Sequence, residues 1–243
     1  MRDLRILLNI KTGLSLLIWF AFTGCTTTPV TTIRFEAFVG GEPLEFGKNY
    51  LSPNGDGTYM ISDFKFYVSN IKLLSDDGSE VFVEEDSYHL VKFQNNSNIY
   101  SITLDSVSLA SYDKISLSIG IDEEANLSSH IAGDLLPTNQ MAWNWTSGYK
   151  FILLEGRYTP ETSDKMIPLI YHIGFSENRR DLEFEITGSN EVRFAVEINE
   201  LFENPSLIDF HTYPEILFNE TQAAMMAANY GNSFITLNHF AIR

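Results

Sequence analysis

Apolar and polar residues alternate over short runs along most of this chain, and clusters of turn residues separate the runs. In Asp181-Leu182-Glu183-Phe184-Glu185-Ile186 every second side chain is apolar, the period of a strand with one face on a core and the other in water. Runs of the same kind, rich in Val, Ile, Phe and Tyr, predict strands over 33–39, 64–74, 81–83, 88–93, 99–104, 114–121, 149–154, 167–175, 181–186, 191–198 and 234–242. Between them, Pro53-Asn54-Gly55-Asp56-Gly57, Asp76-Asp77-Gly78 and Gly188-Ser189-Asn190 read as turns. One segment, 213–229, carries helical spacing instead. Ile216, Leu217, Ala223, Ala224 and Ala227 form its apolar face, Pro214 lies near its first turn and Gly231 follows its end. No internal repeat is visible. The pattern predicts an all-β fold, a mostly antiparallel β-sandwich in one domain, with a single C-terminal helix of about 15 residues.

The first 32 residues do not share that pattern. Arg2, Arg5 and Lys11 flank a short apolar stretch, 14–22, which is too short for the roughly 20 residues a bilayer span needs. It runs into Phe22-Thr23-Gly24-Cys25, which resembles the lipobox of bacterial lipoproteins, and Cys25 is the sole cysteine of the chain. Residues 1–24 therefore read as a lipoprotein signal peptide, and 25–32 as a lipidated Cys25 with a Thr-rich tether to a domain over 33–243. Acyl chains on Cys25 would hold the protein on a membrane without a transmembrane helix, each buried CH₂ contributing ~0.8 kcal/mol. Thr26 rather than Asp follows Cys25, so the expected address is the bacterial cell envelope, at the outer membrane.

Composition narrows the chemistry. With 44% apolar residues, the 243-residue chain has enough to build a core. Sixteen basic against 32 acidic residues give a net charge of -16, and no basic stripe exists to meet phosphates, so nucleic acid is excluded as a partner. One cysteine excludes an internal disulfide framework and a Cys-based zinc or iron–sulfur site. No nucleophile elbow, P-loop or dinucleotide fingerprint is present, and the reading is of a protein that is not an enzyme.

The most distinctive stretch runs over 118–156. It holds Ile119-Gly120-Ile121-Asp122, Asn126, Gly133-Asp134-Leu135, then Met141-Ala142-Trp143-Asn144-Trp145-Thr146-Ser147-Gly148-Tyr149-Lys150-Phe151, and ends in Leu154-Glu155-Gly156. With Phe64-Lys65-Phe66-Tyr67-Val68-Ser69-Asn70-Ile71, Tyr88-His89-Leu90-Val91 and Tyr171-His172-Ile173-Gly174, it resembles the MbnP-like family, copper-associated lipoproteins and surface proteins of methanobactin operons. The resemblance implies a β-rich sandwich that handles copper through His nitrogens and through kynurenine, made from a Trp by a partner dihaem cytochrome c peroxidase-like protein. Carried onto this chain, the oxidised residue is Trp143; Trp145 stands two positions later, where the family can place a ligand His.

From the residues themselves, copper calls for imidazole, with thioether as an option for Cu(I). The imidazoles are His89, His130, His172, His211 and His239, and none forms a local metal pair, so any site is assembled from separate elements. His130 and His172 are the candidate ligands, with Met141 third and Trp143 beside them; His89 reads as a hydrogen-bonded core residue. Trp143 and Trp145 share a face if their stretch is extended, and Tyr149 extends the aromatic series. Asp122 reads as an acceptor capping backbone amides, and Asn126, Gly148 and Tyr149 as structural parts of the motif. Asn54, Asp56 and Asp63 offer spaced oxygens for calcium but lack a closing Glu. A second reading needs no metal: the aromatic residues near 143–149 form a platform for a peptide, a glycan or another envelope protein.

Overall fold

The computed structural model describes residues 30–94, 97–105, 107, 112–127, 132–144, 148–186 and 191–238. The segment read as a signal peptide, Cys25, His130, Trp145 and His239 lie outside them. Strands β1 (Val30–Val39), β2 (Glu42–Pro43), β3 (Asn49–Leu51), β4 (Gly57–Leu74), β5 (Glu80–Val83), β6 (Tyr88–Lys92), β7 (Ile99–Asp105) and β8 (Lys114–Ile119) lead to a short helix, α1 (Glu123–Leu127). After it come β9 (Ala142–Asn144), β10 (Gly148–Pro160), β11 (Ile167–Gly174), β12 (Arg180–Glu185) and β13 (Glu191–Glu197). The last elements are α2 (Glu200–Glu203), β14 (Glu215–Ile216), α3 (Glu220–Tyr230) and β15 (Ile235–Leu237). Among the described residues no helix is long and apolar enough to cross a membrane.

The strands make two sheets packed face to face, so the sandwich expected from the alternation is present. In the five-stranded sheet β1 is central, parallel to β13 on one side and antiparallel to β7 and β2 on the other, with β15 beyond β13. The ten-stranded sheet runs β12-β8-β4-β10-β11-β14, and β3, β5 and β6 add to β4 and β9 to β10. Alternation sends Ile33, Phe35 and Ala37 of β1, Phe194 of β13, Phe64, Phe66 and Val68 of β4 and Ile152 and Leu154 of β10 into the layer between the sheets, all of them buried. Phe35 stacks on Phe194 at 5.4 Å and meets Phe66 edge-on at 6.0 Å, which ties one sheet to the other.

Several expected boundaries move. β1 starts at Val30, and Thr31, fully buried, donates its hydroxyl to Val107 O at 2.8 Å, so the last residues assigned to the tether belong to the strand. β4 reaches back to Gly57 and β10 on to Pro160, longer than the apolar runs alone indicate. The C-terminal helix is the main correction. It spans 11 residues from Glu220 rather than starting near Tyr213, because Glu215 and Ile216 pair as β14 with Ile170 and Tyr171 of β11. Asn219 then caps the helix, its side chain accepting from Gln222 N at 3.0 Å. Ala223 and Ala227 do face the core, joined by Met226 and Tyr230, while Ala224 is exposed. Helices α1 and α2 carry too little apolar periodicity to be seen from the sequence.

Candidate functional site

The outward face of the ten-stranded sheet is not left to water. The chain leaves β8, crosses that face through α1 and two short 3₁₀ turns, and returns as β9 against β10. Beneath the crossing lies a second apolar cluster of Tyr67, Leu90, Ile121, Ala125, Leu135, Met141, Tyr149, Phe151 and Leu153, separate from the main core. The motif residues fasten it. Asp122 accepts Ala125 N at 2.9 Å through one carboxylate oxygen and the Tyr88 hydroxyl at 2.7 Å through the other, which starts α1. The buried Asn126 accepts Tyr149 N at 2.8 Å and donates to Ser176 Oγ at 3.0 Å. Tyr149 donates its hydroxyl to Leu135 O at 2.9 Å and meets Tyr67 edge-on at 6.0 Å. Burial pushes the Tyr149 phenol above its ordinary pKa, so it stays a donor. Met141 is fully buried in this cluster, its sulfur surrounded by apolar neighbours and its carbonyl accepting Lys150 N at 2.7 Å.

This crossing sets down Trp143 beside β11. The indole rests on Gly174, where a Cβ would lie 2.6 Å from Trp143 Cζ3 and 2.4 Å from Tyr149 O, so only glycine leaves the room. Phe175 at 5.3 Å and Phe218 at 5.0 Å flank the ring. Phe218 is 62% exposed, whereas Trp143 is half-buried and its Nε1 is sealed from solvent without a hydrogen-bond partner among the described residues. Phe175 holds a φ of 69°, in the left-handed region that a bulky side chain rarely adopts.

His172 is two residues before Gly174, and strand geometry puts both on the outer face, about 7 Å apart along β11. The structure thus brings Trp143 and His172, separated by 29 positions in sequence, onto one patch. His172 Nε2 lies 2.9 Å from Glu155 Oε1. Burial lowers the His172 pKa more than the Glu155 bond raises it, so the ring is neutral at neutral pH. Around the pair, Lys65 reaches Asp63 at 3.0 Å, and Lys150 Nζ donates to Gln140 O at 2.8 Å. Burial lowers the Lys150 pKa as well. Sequence alone assigns Glu155, Gly174, Phe175 and Phe218 no role of their own in the site, although Glu155 and Gly174 lie within Leu154-Glu155-Gly156 and Tyr171-His172-Ile173-Gly174. Phe218 carries no sequence signal, because its partner is 75 positions away.

Gly174→Ala is expected to lift the Trp143 ring off β11, seen as a red-shifted Trp emission and faster acrylamide quenching; an unchanged spectrum would show that the seat tolerates a methyl.

Other sequence candidates fall elsewhere. His89 is half-buried and bonded to Glu84 Oε2 at 2.8 Å, and His211 lies 3.0 Å from the Tyr158 hydroxyl and 3.6 Å from Asp56 Oδ2. The proposed calcium set divides: Asp63 pairs with Lys65 on β4, while the Asn54 amide bridges Asp56 and Asp209 at 2.8 Å each. Among the described residues no three His, Cys, Asp or Glu side chains are grouped to hold a metal ion.

A two-sheet sandwich with an aromatic and histidine patch fastened to its outer face is therefore the kind of protein the coordinates define. Its sequence matches the family model described as MbnP over residues 27–223, and the chain belongs to that family. Among solved structures it resembles MbnP from Methylosinus trichosporium, with a TM-score of 0.53 and 16% identity, covering 73% of this chain and 78% of that one. At that identity the likeness concerns the fold. No curated protein sequence matches it.

Proposed function

We propose that this protein is an exported, lipid-anchored copper-handling member of the MbnP family, with its site at the Trp143–His172 patch. The observation that carries the reading is the seating of Trp143 on Gly174, two residues from His172, with the indole nitrogen buried and without a partner among the described residues. A buried donor without an acceptor costs about 1–3 kcal/mol, and natural proteins keep such groups where function asks for them. The donor chemistry fits copper in part: a neutral imidazole backed by a carboxylate is a familiar ligand arrangement. His172 would hold the metal together with His130, and oxidation of Trp143 to kynurenine by a dihaem partner would complete the set. Met141 is reassigned to packing, since its thioether fills the second apolar cluster. Bound copper would supply a Lewis-acidic, redox-active centre, and the chain needs no catalytic step of its own. Envelope placement through Cys25 belongs to the same reading.

Native mass spectrometry of protein purified from its own envelope tests it. Bound copper, with a Trp143 peptide that has gained one oxygen and lost one carbon, is the expected result. His172→Ala is expected to remove copper uptake altogether. Bare protein with intact Trp143 would overturn the reading. The exposure of Phe218 favours a second one, an aromatic docking platform; there Phe218→Ala would weaken partner capture and leave copper uptake unchanged.

A further inference from the structure

We propose that Glu155 is a positioning residue that fixes the tautomer of His172, leaving Nδ1 as the one imidazole nitrogen with a lone pair to give; this rests on the copper reading of the patch. The argument begins with register. Leu153 of β10 faces His172 of β11, and Glu155 faces Ile170, so the Glu155 carboxylate reaches His172 diagonally across the strand pair. A β-bulge between Glu155 and Gly156, in the pairing of β10 with β4, re-aims the strand at this point. Glu155 also accepts the Ser62 hydroxyl at its backbone oxygen, at 3.0 Å, which anchors the main chain beneath the carboxylate.

The neighbouring charges are already engaged. Lys65 is held by Asp63 at 3.0 Å, and Lys150 Nζ donates to Gln140 O at 2.8 Å. Among the described residues the hydrogen-bond partner of the Glu155 carboxylate is His172, and no hydrogen bond reaches His172 Nδ1. A carboxylate only accepts, so in a neutral ring the proton must sit on Nε2. Nδ1 is then bare. Without Glu155 the two tautomers differ little in energy, the ring turns more freely about its side-chain torsions, and a ligand-ready Nδ1 is populated only part of the time. The side chain of Glu155 is 44% exposed and that of His172 only 16%, so the carboxylate meets solvent on its outer side while it covers Nε2.

Imidazole ¹⁵N NMR of the metal-free protein is the primary test, because it reads the tautomer with no copper present. The expected wild-type result is a protonated Nε2 and a bare Nδ1 for His172. Glu155→Gln, whose amide oxygen still accepts, should keep that pattern, and Glu155→Leu should give averaged shifts from both tautomers. A wild-type His172 protonated on Nδ1, or a Leu variant that keeps the wild-type pattern, overturns the assignment. A Cu(II) titration of the same three proteins is the second readout. Carboxylates that hold a ligating imidazole in place typically contribute 10–100-fold in metal affinity, so Glu155→Leu should lose about that much and Glu155→Gln markedly less. Wild-type protein that takes up no copper overturns the copper reading, and the NMR result then still decides the Glu155 assignment independently.

Discussion

Gly148→Ala is expected to release the crossing over the outer face while leaving the sandwich folded. Gly148 has a φ of 70°, and a Cβ there would lie 2.3 Å from Asn126 Oδ1 and 2.7 Å from its Cγ. The left-handed backbone alone costs a non-glycine residue roughly 1–2 kcal/mol. The larger effect is on Asn126, which is buried and bonded to both Tyr149 N and Ser176 Oγ. Pushing it aside strips two hydrogen bonds, one buried and one partly buried, and the buried one alone costs about 1–3 kcal/mol when a partner is lost. The cluster under the crossing is small and distinct from the main core, so it is the part that gives way. Native-state hydrogen exchange should show the Tyr149 amide losing protection by two or more orders of magnitude while amides in β1 and β4 keep theirs. Copper uptake should fall with it, since Trp143 is set down by the same segment. A Tyr149 amide that exchanges at the wild-type rate would refute the clasp.

Phe66→Ala is expected to act on the whole molecule. The ring is fully buried and touches Phe35 at 6.0 Å, Phe64 at 5.7 Å and Phe234 at 5.3 Å, so it belongs to both layers at once. Truncations of this kind cost about 3–5 kcal/mol, from lost burial and from the cavity that remains. Urea denaturation should show a midpoint lowered by that free energy divided by the slope m, with the slope itself little changed. Loss confined to one probe, with the midpoint by circular dichroism unmoved, would mean that the layers are not coupled through Phe66. Together the two variants separate the stability of the scaffold from that of the patch it carries.

Much of the scaffold could be read from side-chain alternation, and the reasons for the misses are local. The apolar run that predicts β4 begins at Phe64, well after the turn at 53–57, yet Tyr59 and Ile61 of that strand are fully buried in the main core. In β10 the continuous apolar run ends at Leu154, just before the bulge between Glu155 and Gly156, although the strand continues to Pro160. Ile216 and Leu217 continue a plausible helical stripe, but the parallel pairing of Glu215 and Ile216 with β11 outweighs a weak helical preference. For the patch, the scarcity of imidazoles points to His172, and the family resemblance points to Trp143. Their supports were harder to see. Glu155 is one of 32 acids, and nothing in its neighbours marks it until β10 and β11 are laid side by side.

The place of β1 in its sheet also determines how the molecule bears load. β1 begins at Val30, close to where a lipidated Cys25 would fasten the chain, and over residues 32–36 it lies between β13 and β7. Tension applied at that end runs along the strand rather than across it. The ladder bonds on both sides are then sheared together instead of unzipped one by one, and Phe35 must slide past Phe194 and Phe66 at the same moment. A domain tethered this way resists being pulled from its anchor far better than it would if it were held through the two-residue β14 at the edge of the other sheet.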